Sequence, residues 1–248
     1  MHLHSKRETA KECSPRVKAQ HQRVRSTSPR RAAKLVYIPE HFRVEDTATA
    51  LAFMRAYPFA IVVSSSGPEP FATHVPVVIR QDGNQIRLRG HVAKANPHWK
   101  YLSEQRRCLV IFHGPHAYIS PSHYETRETV PTWNYGAIHV YGNARTFSTV
   151  PELLGMLDDL IPTFEAAYSE QWSSLSETYR SRMLNHIVGF EIAVDRIETK
   201  FKLSQNRTRQ ERQNVIDSLN GSSDTAISGT AELMCQHALG TKVPEKEK

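Results

Sequence analysis

With 248 residues, 39% of them hydrophobic and 23% charged, the chain has the make-up of a soluble globular protein long enough to bury a core unaided. Its net charge of +7 is uneven: residues 1–35 carry ten Lys and Arg against two Asp and Glu, so the rest is close to neutral and has no electrostatic footprint for DNA. No run of about 18 apolar residues exists to span a membrane, no apolar signal core opens the chain, and three scattered cysteines, Cys13, Cys108 and Cys235, fit a reducing cytoplasm better than a disulfide framework or a CxxC zinc site.

Residues 1–35 hold too few large apolar side chains to offset the entropy of ordering and read as a disordered basic leader. It is either an arm for nucleic acid or transit, or a solvated extension placed ahead of a start at Val36. From Val36 the pattern becomes ordered. Ala50, Leu51, Phe53 and Met54 share a helical stripe over 46–57, with Asp46 or Thr47 as the cap. Strands follow at 58–66 and 71–79, Pro76 marking an edge or a bulge, and the turn 81–85 leads into a returning strand at 86–91. Asn96 caps a helix whose first residue is Pro97. Two strands, 108–114 and 116–121, flank Gly114-Pro115, and a long strand over 132–148 contains Gly136 and Gly142, where it can bend. Helices are expected over 150–168 and 176–187, a half-buried strand over 188–204, and a closing helix from about Arg207. Residues 221–248 read as a helical, charged tail outside a single domain over 36–220. About seven strands with few crossover helices predict an α+β protein: an antiparallel barrel with peripheral helices.

The densest chemistry lies in "RGHVAKANPHW", residues 89–99. A helix start following a strand presents free backbone N–H groups and a positive dipole end, and Arg89, His91 and Lys94 stand just before it. Those groups suit a phosphate; they also suit an ordinary Asn-capped helix at a solvated edge. His113 and His116 have the spacing to approach a metal or haem, although paired strand histidines are the plainer reading and no metal ligand set is assigned. No Walker, GxGxxG, GxSxG or HExxH motif is present, and no residue stands out as an acid–base catalyst.

Together with "PFATHVP", "GPHAYISPSHY", "VPTWNYGAIHVYG" and "KFKLSQNR", this stretch resembles the PaiB-like family, FMN-binding negative transcriptional regulators of split-barrel fold related to pyridoxamine-phosphate oxidases. The resemblance runs from about Val36 to Leu219. It implies a split β-barrel, a cytoplasmic homodimer with flavin at the subunit interface, and FMN as cofactor. It further implies phosphate contacts from His91, Lys94 and Asn96, with Thr73 and His74 on the neighbouring strand facing the phosphate or the flavin edge. Thr132, Trp133 and Asn134 would lie beside the ring system, with Lys202, Gln205 and Asn206 of the C-terminal word reaching the site of the partner subunit. The oxidases carry more cationic groups at the phosphate than Ala93-Lys94-Ala95 offers here. The function implied is repression of gene expression, with DNA contacted directly or indirectly; a flavin-dependent oxidoreductase is the alternative, and haem or metal handling trails both. No helix-turn-helix word is evident.

Overall fold

The computed structural model describes residues 36–65 and 69–238; the expected basic leader and the last ten residues lie outside the described residues. Helix α1 (Thr47–Ala56) starts where the sequence places it, because the Asp46 carboxylate accepts from the Ala48 and Thr49 amides. The following segment contains strands β2 (Phe59–Ser64), β3 (Phe71–Pro76), β4 (Val78–Asp82) and β5 (Gln85–Ala93), after the two-residue β1 (Arg43–Val44). Helix α2 (His98–Gln105) then leads to β6 (Arg107–Ile119) and β7 (Thr132–Phe147). Three helices, α3 (Val150–Glu165), α4 (Tyr168–Ser174) and α5 (Glu177–Leu184), precede β8 (Ile187–Lys202), α6 (Arg209–Asn220) and α7 (Thr225–His237).

The strands form an antiparallel sheet in the order β3-β2-β6-β7-β8-β5-β4, with β1 added beside β8. The expected strand over 71–79 is in fact two, and the break decides the architecture. Its halves lie at opposite ends of the strand order yet are joined through Val77 alone, so the sheet must curl until its edges meet. Among the described residues no ladder closes that seam, which leaves a split barrel. The strand pair expected around Gly114-Pro115 is one strand, β6, with a bulge between His113 and His116.

Inside the barrel Val62, Leu88, Val110, Phe112, Ile138, Val140, Phe190, Ile192 and Phe201 interlock with α1. Gly136 is small for packing rather than for bending: a Cβ there would lie 2.7 Å from the Phe53 ring. Gly142 sits at the irregularity of the β7–β8 ladder, where a Cβ would meet the Ala193 carbonyl oxygen at 2.4 Å. Helix α7 buries Ala231, Leu233 and Met234 in this same cluster, so the boundary expected after residue 220 has no counterpart in the packing. A second, smaller cluster (Val78, Phe147, Leu153, Met156, Leu160, Leu184) seals α3 and α5 onto the outer side of the sheet. Among the described residues no helix is long and apolar enough to cross a membrane.

Candidate functional site

Strand alternation and one capped turn build a polar cluster at the start of α2. Asn96 accepts from the His98 amide through Oδ1 (3.0 Å) and donates through Nδ2 to Thr73 Oγ1 (3.2 Å). His98, fully buried, links Thr73 Oγ1 (Nδ1, 2.8 Å) to Ser64 Oγ (Nε2, 3.0 Å). Burial pushes its pKa down to about 4, so the ring is neutral and ties β2, β3 and α2 together without charge. The Lys94 backbone is pinned by its amide to His186 O (2.7 Å) and by its carbonyl, which accepts from Trp99 Nε1 (3.1 Å). Its side chain is exposed and forms no ion pair among the described residues. Two amides that would face an anion at this helix start are already used, His98 by Asn96 and Lys100 by Pro97 O (2.9 Å).

The pleat separates residues that adjoin in sequence. Thr73 turns toward α2, whereas His74 is exposed on the other face and stacks at 6.2 Å on Phe59. His91 shares a face with its ladder partner Gly189, which Phe147 covers, so it lies under the α3 side with Nδ1 lacking a hydrogen bond. Arg89, on the same face, binds Asp159 of α3 at 2.6 Å and Glu191 at 3.3 Å. The crowding of charge in 86–99 thus serves two sides of β5, and Arg89 is committed to holding α3.

At the other end of the sheet, Thr132, Asn134, Lys202 and Asn206 line one cavity of about 240 Å³, joined by His41, Phe42, Tyr124, Val130, Pro131, Ser204 and Arg207. Asn134 and Ser204 exchange hydrogen bonds at 2.9 and 3.2 Å. The Lys202 ammonium donates to Thr132 Oγ1 and to Trp133 O (2.8 Å). Burial, then Lys200 and Arg207, push its pKa below the usual lysine range. The Arg207 guanidinium stacks on Tyr124 at 3.9 Å and donates to Thr129 Oγ1 at 3.0 Å. Gln205 is absorbed by its own turn, accepting from Leu203 N (2.7 Å) and donating to Phe201 O (2.6 Å).

Trp133 belongs to a third surface. The outer face of β2, β6 and β7 carries half-buried Ile61, Val63, Leu109, Ile111 and Ala137, bordered by exposed Phe59, Tyr118 and Trp133. Tyr118 and Trp133 meet edge-on at 6.0 Å; the His113 and His116 rings lie 4.9 Å apart on the same strand. Cys108 is buried, and burial pushes its thiol up to about 12, which leaves it a small buried hydrophobe rather than a nucleophile. Reading the sequence did not single out His98, Arg207 or Tyr124. Helix-start and loop positions gave no signal, since what distinguishes them is a hydroxyl, a cavity or a ring contributed from distant sequence.

Comparison with known proteins adds the following. A family model described as "Putative FMN-binding domain" matches residues 36–196. The "Protease synthase and sporulation protein PAI 2" of Bacillus subtilis (strain 168) is 37% identical over 201 residues, covering 80% of this chain and 96% of that protein. Among solved structures, the flavocytochrome Anf3 from Azotobacter vinelandii superposes with a TM-score of 0.51 at 15% identity, over 66% of this chain and 72% of that chain. The FAD and heme binding protein from Mycobacterium smegmatis gives 0.50 at 15% identity, over 64% and 73%. At that identity these two structures bear on the fold alone, and they bear out the antiparallel split barrel.

Proposed function

The chain belongs to the PaiB-like family of FMN-binding domains, and from that premise we propose that it is a flavin-binding homodimer that represses gene expression. The observation that supports this best is the uncovered outer face of β2, β6 and β7. Five half-buried aliphatic positions with an aromatic border need a partner surface, and a second copy of the chain supplies one.

The residues fit a flavin. Its phosphate needs cationic and polar donors, which Lys94 offers beside α2 with Thr73 and Asn96 next to it; its rings need a flat apolar support with polar edges, for which the outer face beside His74 is available, with Trp133 at the far end of that face. His91 stands apart from them, on the α3 side of β5. Bound flavin supplies hydride and single-electron chemistry. The protein's own part is to hold the phosphate and exclude water from the rings. The Bacillus relative is named for protease synthesis and sporulation, which supports a role in control rather than in bulk turnover.

Titrating the purified protein with FMN and following flavin fluorescence tests the first half of this reading. Saturable quenching is expected, and Lys94→Ala should weaken it about tenfold or more, the worth of one charged hydrogen bond. An unchanged dissociation constant would remove Lys94 from the site. For the second half, the protein should retard a promoter fragment with steep salt dependence if it contacts DNA directly. NAD(P)H oxidation above the rate of free FMN, without any such shift, would favour the oxidoreductase instead.

A further inference from the structure

We propose that the cavity between the start of β7 and the end of β8 binds a small carboxylate, at a position separate from the flavin phosphate. The cavity's volume, about 240 Å³, lies below the roughly 300–1,000 Å³ of ordinary ligand sites, so by itself it suits a molecule much smaller than flavin mononucleotide. Thr132, Asn134, Lys202 and Asn206 therefore line a site of their own.

Charge indicates what that site takes. Lys202 and Arg207 both line the cavity, and among the described residues no Asp or Glu does. Neither cation forms an ion pair among the described residues; their hydrogen bonds go to hydroxyls and one carbonyl. Two cations drawn partly out of water with only neutral acceptors are the arrangement that a bound anion stabilises. Burial and the mutual repulsion of Lys200, Lys202 and Arg207 act in the same sense on the ammonium.

Donor counting selects a carboxylate. An ammonium has three donors, and Lys202 has given two of them, to Thr132 and Trp133, so one remains for a ligand. Arg207 lies over the Tyr124 ring with one nitrogen occupied by Thr129, so its fork keeps free N–H groups while its position is held. The Asn134 amide is already satisfied by Ser204. A few fixed donors match two carboxylate oxygens better than the three of a phosphate. Phe42, Tyr124, Val130 and Pro131 give the other wall an apolar surface, so the carboxylate should carry a compact apolar or aromatic body.

Benzoate is the probe, titrated by calorimetry into full-length protein without added flavin, so that the result does not depend on FMN binding. Saturable binding is expected. Benzamide, of the same shape without the charge, should bind at least tenfold more weakly, and phenylphosphonate no more tightly than benzoate. Arg207→Gln and Lys202→Met should each weaken benzoate about tenfold or more. Should either variant melt early, Asn206→Asp serves in its place: it sets a carboxylate into the wall at an exposed turn and should abolish binding while leaving the thermal midpoint in place. No saturation by about 10 mM benzoate, equal affinity for benzamide, or variants that bind as the parent does would each overturn the site. Tighter binding of phenylphosphonate would overturn the ligand class. FMN affinity measured on the same Arg207→Gln protein reports on the flavin reading by itself.

Discussion

A buried histidine between two hydroxyls decides more than its plain sequence context suggests. His98 faces Ser64 of β2, Thr73 of β3 and the Phe71 ring at 4.9 Å, all neutral, so nothing repays the cost of a positive charge there. Its pKa of about 4 lies below the ordinary 6.5, which means the unfolded chain binds a proton that the folded one refuses. The resulting stability is complete above pH 6.5 and is lost as pH falls to 4. The loss amounts to roughly 3 kcal/mol at most. Burial pushes His91, His113, His139 and His237 in the same direction, reinforcing the trend. Urea midpoints measured from pH 7 to pH 4 should therefore fall, and His98→Gln, which keeps a hydrogen-bonding group but cannot titrate, should flatten the slope. A variant as acid-sensitive as the parent would place the titrating group elsewhere.

Among the elements, α3 is fastened by charge as well as by its apolar stripe. The Asp159 carboxylate, 4% exposed, binds both Arg80 and Arg89, and Arg89 continues to Glu191, which Arg145 links to Glu152. Burial separates the contributions of these partners. Arg80 is 60% exposed, so Arg80→Ala should cost less than about 1 kcal/mol. Asp159→Ala strips a half-enclosed guanidinium of its closest partner and should cost about 3–5 kcal/mol. Denaturant unfolding of the two variants checks the ordering, and hydrogen exchange of the α3 amides should accelerate in Asp159→Ala alone. Equal losses would mean that the apolar cluster under α3 carries the attachment.

Among the described residues, one side of the sheet is buried against helices and half of the other side is left uncovered. The inner residues interlock with α1, α6 and α7, and α3 with α5 covers β4, β5 and part of β7 and β8. Ile61, Val63, Leu109 and Ile111 remain half-buried on the rest. Light scattering coupled to size exclusion should report a dimer, and Ile111→Asp, which sets a charge at the centre of that face, should yield a folded monomer. A parent protein that is monomeric at tens of micromolar would remove the second copy from the proposal.

Local pattern alone settled a good part of this protein. The Asp46 cap, the stripe of α1, the hairpin at 81–85 and the alternation of β7 and β8 follow from interactions between residues a few positions apart, which the sequence displays directly. The family resemblance carried the split barrel and the FMN-binding class further than periodicity could. What the tertiary structure decided were matters of side and distance. Thr73 and His74 part to opposite faces, His91 goes under α3, Gln205 closes its own turn, and Arg207 joins Lys202 around a cavity. The break at Val77 belongs here too, since either half of 71–79 reads equally well as strand until β2 and β5 compete for it. A hydrogen-bond partner or a neighbouring charge supplied from tens of residues away leaves no trace in local periodicity, because only the closed sheet brings the two together.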